Sequence, residues 1–190
     1  MNKTLRFVFR GLRFWGQSTL EMLVVFSVTT LFLSMVLGFN RTAKNQNEFF
    51  QFIDRFILDI RKVQDLSYLS QEYNGPEQDY RGTVPCAYGM LFDALRKDRY
   101  TIFAAFSNDC SGIQGGNYEA IEIETVLLPS LINFGQTSSN PVIFVPPYPR
   151  TLFFPQADSA IVRLVLRGSA NSFRDVSINK AGQIGRVISE

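Results

Sequence analysis

Glu21 is the residue whose placement most invites chemistry. It stands at the mouth of an apolar run, and no further charge follows until Arg41. Upstream lie Lys3, Arg6, Arg10 and Arg13, with no acid among them. The eighteen residues Met22 to Phe39 would span roughly 27 Å as a helix, at ~1.5 Å per residue. That approaches the ~30 Å hydrocarbon core of a bilayer. A charge at membrane depth costs several kcal/mol, so an acid kept there is a functional candidate by default.

Other chemistry is limited by what the chain lacks. It contains no His, which excludes Ser-His-Asp and Cys-His catalysis and His-ligated zinc. No metal-ligand cluster or phosphate loop stands out, so no enzyme activity, cofactor or metal is expected. Two cysteines occur, Cys86 and Cys110. In an exported domain an even count suggests one disulfide. It would close a loop of about 25 residues and contribute on the order of 3 kcal/mol. Two buried free thiols are the alternative. Arg163, Arg167, Arg174, Lys180 and Arg186 give the C-terminal segment a basic bias that nucleic-acid phosphates would fit. A solvated sheet face explains the same bias.

The elements that position these residues follow from the hydrophobic pattern. Pro is absent before Pro76, and Gly38 is the sole Gly between Gly16 and Gly75. One helix is therefore expected from Gln17 to Tyr73, ending before the turn signal Asn74-Gly75-Pro76. Its first half is apolar all round. Its second half is amphipathic, with Phe49, Ile53, Phe56, Ile57, Ile60, Val63 and Leu66 recurring at three- and four-residue spacing. That half should lay one face on a globular domain.

Short strands follow a linker over residues 74–87. Tyr88 to Asp93 and Arg99 to Ser107 read as a hairpin, then a polar loop covers 108–117. Tyr118 to Leu128, Leu131 to Gln136 and Val142 to Val145 read as strands, the last stopped by Pro146, Pro147 and Pro149. Ala160 to Arg167 alternates, with Val162, Leu164 and Leu166 inward and Arg163 and Arg167 outward. Phe173 to Asn179 and Gln183 to Ile188 form a closing hairpin. The abundance of Phe, 18 residues, suits an aromatic β-rich core. The fold class is α+β: a long N-terminal helix, transmembrane in its first half, packed on a C-terminal antiparallel β-sheet domain.

The segment Gly16-Gln17-Ser18-Thr19-Leu20-Glu21-Met22-Leu23-Val24-Val25 resembles the class III signal of type IV pilins and pseudopilins. In that family a prepilin peptidase cuts after a Gly that follows a basic leader, and the fifth mature residue is Glu. The resemblance makes Gly16 and Gln17 the cleavage pair and Glu21 the assembly residue. The bacterial family usually opens its mature chain with Phe, and this one opens with Gln; archaeal relatives often have Gln. Downstream, Asp59-Ile60-Arg61-Lys62-Val63-Gln64, then Pro85-Cys86-Ala87-Tyr88-Gly89-Met90-Leu91-Phe92, then residues 173–184, look like the H-type pseudopilins and fimbrial-T minor pilins. Some related pseudopilins bind Ca²⁺ through loop oxygens. Here the 108–117 loop holds a single carboxylate, Asp109, beside Asn108 and Asn117, fewer charges than Ca²⁺ prefers.

The resemblance implies a leader over 1–16, a transmembrane and filament-core helix over 17–41, an amphipathic helix half over 42–73 and a globular domain over 74–190. The leader holds four of the 19 basic residues, which leaves 15 against 17 acidic ones after cleavage. Leader charge would keep the N-terminus inside the cytoplasmic membrane and place the globular domain outside. Expected partners are other pilin or pseudopilin subunits, the prepilin peptidase and the membrane. A DNA- or surface-binding tip subunit is the alternative. A secretory signal is a competing reading of the N-terminus, but no small-x-small cleavage site follows Phe39. A plain single-pass anchor accounts for the apolar run while leaving Gly16 and Glu21 unexplained.

Overall fold

A computed structural model describes residues 19–93, 96–146, 150–168 and 172–187. The leader, Gly16 and Gln17 lie outside the described residues, as do Pro147 and Pro149. The chain divides into two units between Lys44 and Asn45, and helix α1 (Thr19–Tyr68) contributes to both.

In the first unit the helix has no sheltered side. Fourteen large apolar side chains between Leu20 and Phe39 are exposed, Phe26 at 67% and Met35 and Phe39 at 75%. Its few hydroxyls are turned back on the helix itself. Ser27 donates to the Val24 carbonyl at 2.8 Å, Thr29 to Val25 at 2.9 Å and Thr30 to Phe26 at 2.7 Å. Ser34 donates to Leu31 at 2.8 Å. Such back-bonding lets Ser and Thr occupy an apolar helix without an unpaired donor.

In the second unit the same helix becomes one-sided. Phe49, Phe52, Ile53, Phe56, Ile57, Ile60, Val63 and Ser67 are buried, a stripe at helical spacing. Two antiparallel sheets receive it. The first runs β3-β2-β1-β5-β6, built from β1 (Ala87–Phe92), β2 (Arg99–Phe106), β3 (Glu119–Leu127), β5 (Val142–Val145) and β6 (Arg150–Phe153). The second runs β4-β7-β8-β9, built from β4 (Ile132–Thr137), β7 (Ser159–Leu166), β8 (Phe173–Asn179) and β9 (Ile184–Val187). Phe56 is the hub of the core. Its ring lies 5.3 Å from that of Tyr100, 5.9 Å from Phe134 and 6.1 Å from Phe92, so both sheets meet on one helix residue.

Two seams join the sheets. On one side the Phe134 amide of β4 donates to the Lys97 carbonyl, just before β2, at 2.8 Å. At the other side the Thr151 amide of β6 donates to the Lys180 carbonyl at 3.0 Å, in the turn between β8 and β9.

Around Ala87, Phe103 and Ile143 the first sheet is buried on both faces, whereas β3 is largely exposed. Tyr88, Met90 and Phe92 face the helix, while Ala87 and Gly89 alternate to the far side. There Cys86, Ala87, Phe103, Ala105, Ile113 and Ile143 form a second apolar cluster. The 108–117 segment covers it. A 3₁₀ turn, Ser111–Gly115, drives Ile113 into the cluster with no exposure.

The structure departs from the sequence expectations in several places. Helix α1 ends at Tyr68, not Tyr73. Ser70 adopts a left-handed conformation, φ 46°, which a helix cannot continue through. The chain then turns so that the Tyr73 amide reaches the Thr83 carbonyl at 2.8 Å. The antiparallel β-sheet domain divides into two sheets, a division that the strand pattern did not specify. Strand β6, only four residues long, was absent from the pattern because it follows directly on the prolines. The 108–117 loop, read as polar, carries a core residue, Ile113.

Candidate functional site

Glu21 sits near the start of the described part of helix α1. It is exposed, as are its neighbours on every side of the helix. Among the described residues, α1 is the one helix long and apolar enough to cross a membrane. Full burial of a large apolar side chain is worth about 1.5–3 kcal/mol. Fourteen of them exposed leave a burial free energy on the order of 20–40 kcal/mol unclaimed by this chain alone. By length and composition this helix could span a membrane.

Past Lys44 the helix is tied to the two sheets by one polar contact after another, and these sort onto its two flanks. On one flank Tyr100 donates its hydroxyl to Asp59, and Lys62 pairs with Glu124 of β3 at 2.9 Å. On the other flank Arg186 of β9 pairs with Asp54, Arg174 lies 5.5 Å from the Phe50 ring, and Gln64 donates to the Gly182 carbonyl. Sequence reasoning missed all of these. Asp54, Asp59 and Lys62 looked like ordinary solvated positions between apolar ones, and nothing local reports which strand will stand beside them.

Cys86 and Cys110 are joined by a disulfide. Cys86 stands immediately before β1, its amide donating to the Ala105 carbonyl at 2.9 Å. Cys110 holds φ 54° just before the Ser111–Gly115 turn. The bond therefore pins the covering segment at the strand it covers. Within that segment Asp109 accepts from the Ser111 hydroxyl at 2.7 Å. This bond, helped by the Gly112 amide, holds the Asp109 carboxyl below its ordinary range. Asp109 thus spends its charge on local turn bonds. Among the described residues, no three His, Cys, Asp or Glu side chains gather as a metal site would need.

The five basic residues of the C-terminal strands do not share a face. Arg163 forms a two-pronged pair with Asp175, both bonds at 2.8 Å, and covers the Phe173 ring at 4.2 Å. Arg167 reaches the Asn133 side chain at 2.7 Å. Arg186 stands opposite the inward-facing Val176, and Arg174 has the same parity as Val176 and Ile178 on β8. These two therefore belong to the helix side of the sheet, whereas Arg163 belongs to the other side. Lys180 lies in the β8–β9 turn, paired with Asp158. A strand register decides this division, and register is not written in any one strand.

The described residues thus define an exposed apolar helix of membrane length followed by an α+β domain of one helix on two antiparallel sheets. No protein-family model, curated protein or solved structure matches the chain.

Proposed function

We propose that the chain is a structural subunit, a minor pilin or pseudopilin, of a type IV pilus or a type II secretion-like filament. The observation that carries this reading is the helix from Leu20 to Phe39, apolar and exposed all round, with Glu21 at its mouth. A membrane anchor alone gives no reason for that carboxylate. A filament core does. Before assembly the segment rests in the cytoplasmic membrane with its basic N-terminus inside. Prepilin peptidase cuts after Gly16 and frees an amine on Gln17. In the filament that amine pairs with Glu21 of a neighbouring copy, which removes two unpaired charges from an apolar core at once. The chain performs no catalysis in this scheme; its product is the filament.

Replacing Glu21 with Ala tests the pairing. The variant is inserted and cut normally, because the leader charges and the apolar run are untouched. It fails to enter filaments, since a broken buried pair costs roughly 3–5 kcal/mol. Glu21→Gln falls between, keeping a hydrogen bond without the charge. The readout is the subunit content of sheared filaments relative to membranes, beside a major subunit from the same cell. Equal incorporation of wild type and Glu21→Ala rejects the role.

A further inference from the structure

Strand β6 is an outer strand of the first sheet. Its backbone groups alternate in direction. The Phe154 amide turns toward β5 and reaches the Pro141 carbonyl at 3.4 Å, while the Thr151 amide turns outward to the Lys180 carbonyl at 3.0 Å. Phe153 has the parity of Thr151, so its N–H and C=O also point away from β5. Beside this edge lies a cavity of about 250 Å³, walled by β6, by Gln114 of the 108–117 segment, by the turn after Phe154 and by Lys180. The wall is mixed in character. Leu152 and Phe154 supply apolar surface, partly buried where they pack on the second cluster. Arg150, Gln114 and Gln156 supply polar surface, and their side chains make no hydrogen bond or ion pair among the described residues. Lys180 is already held by Asp158, so that pair adds no net charge and Arg150 sets the sign. Among the described residues no acid lines the cavity. Thr151, on the same wall, is 2% exposed, and its hydroxyl has no hydrogen-bond partner. A buried hydroxyl is seldom left so, and this one belongs to a cavity wall.

We propose that this cavity binds a small carboxylate with an apolar body, an organic acid of about the size of benzoate. The carboxylate meets the Arg150 guanidinium, whose planar fork can give it two parallel N–H bonds. The side-chain amides of Gln114 and Gln156 can donate to the remaining lone pairs, and the Thr151 hydroxyl is the buried donor available to the same group. The body of the ligand lies on Leu152 and Phe154. A bare inorganic anion would satisfy the donors and leave the apolar surface wet; a neutral body would do the reverse. An apolar wall with a few convergent polar groups is the usual make-up of a small-molecule site, and this volume falls just below the usual range of roughly 300–1,000 Å³, as a ligand of few atoms requires. The site lies wholly within the sheet domain. It needs neither leader cleavage nor assembly and so stands apart from the filament reading.

Protection of Arg150 in the full chain, kept in its native membrane, tests the site. Butanedione in borate labels exposed arginines, and mass spectrometry of the digested protein reads the rate at each one. Benzoate is added at several times the millimolar-range Kd expected of so few contacts. It should slow labelling of Arg150 about fivefold and leave Arg61 and Arg96, both exposed, unchanged. Inorganic phosphate, an anion without the body, and benzyl alcohol, the body without the anion, should each slow it less than about twofold. Equal protection by phosphate overturns the proposal, because the site then reads charge alone. Equal protection by benzyl alcohol overturns it from the other side, and so does a labelling rate at Arg150 that benzoate does not change. Two variants test the hydroxyl. Thr151→Ser should keep the protection. Thr151→Val should cut it to less than about twofold, with the disulfide intact and the domain protease-resistant. Full protection in a folded Thr151→Val chain overturns the donor set. Should that variant fail to fold, the three probes on the wild-type chain decide alone.

Discussion

Tyr100, fully buried under helix α1, donates its hydroxyl to the carboxylate of Asp59. Burial first, and then this bond, push the Tyr100 phenol well above its ordinary value near 10. Burial moves Tyr88 and Tyr118 in the same direction. The folded chain therefore holds these protons more tightly than the unfolded chain. Below pH 10 both states are protonated and the contribution is complete. As pH rises past about 10, the unfolded chain loses protons first, and stability drains away toward the folded values. Thermal unfolding of the sheet domain, followed by circular dichroism from about pH 8 to 11, should show a falling midpoint above pH 10. Tyr100→Phe should lower stability by about 1.5–3 kcal/mol at neutral pH, the worth of a bond to a charged group, and should make the alkaline fall shallower. A Tyr100→Phe chain with an unchanged alkaline slope would rule out this tyrosine as its main source.

Reduction of the Cys86–Cys110 bond should loosen the covering segment before it unfolds the domain. The bond spans 24 residues of sequence, worth on the order of 3 kcal/mol in the chain-entropy view. Limited proteolysis should nick the reduced protein between residues 107 and 118 while the strands stay intact. Cleavage beginning elsewhere would contradict this order.

Ile113→Ala should weaken the same segment from within. The side chain is wholly buried among Phe103, Ala105 and Ile143, and truncation of such a group costs about 2–5 kcal/mol. Chemical denaturation of the oxidised protein measures it, and a loss below about 1 kcal/mol would mean that the segment collapses into the gap.

Gly89→Ala should destabilise although it adds one methyl. The new carbon would lie 2.5 Å from the Phe103 ring and 2.9 Å from the Val142 carbonyl oxygen. The ring can yield, but the carbonyl belongs to the β1–β5 ladder. Overpacking of this kind costs about 1–3 kcal/mol, read from the denaturation midpoint. Pairing with Phe103→Leu should recover only the share due to the ring.

Much of this architecture was legible in the residues. The stripe from Phe49 to Val63 announced a helix lying on a domain, and the alternation of Val162, Leu164 and Leu166 announced the inward face of β7. Both rest on periodicity within one element. What depends on two distant elements was not legible. The helix stop at Tyr68 comes from the left-handed turn at Ser70 and from the seat that Tyr73 finds against Phe106, ring to ring at 5.8 Å. The division of the five basic residues between two faces comes from the register of β7, β8 and β9. Ile113 sat in a stretch of polar residues, and the signal available was its being the one large apolar side chain in residues 108–117. Glu21 could be singled out because its anomaly is local, a charge against an apolar run.

The hydroxyls of Ser27, Thr29, Thr30 and Ser34 each close on a carbonyl of their own helix. Nothing in that stretch asks its surroundings for a hydrogen bond. Lipid tails and the side chains of a neighbouring helix are then interchangeable company, and passage from one to the other breaks no polar contact along the way. On the filament reading proposed above, such a helix would change its solvent at no cost in hydrogen bonds, and the charge at position 21 is the one group along it that would distinguish the two settings.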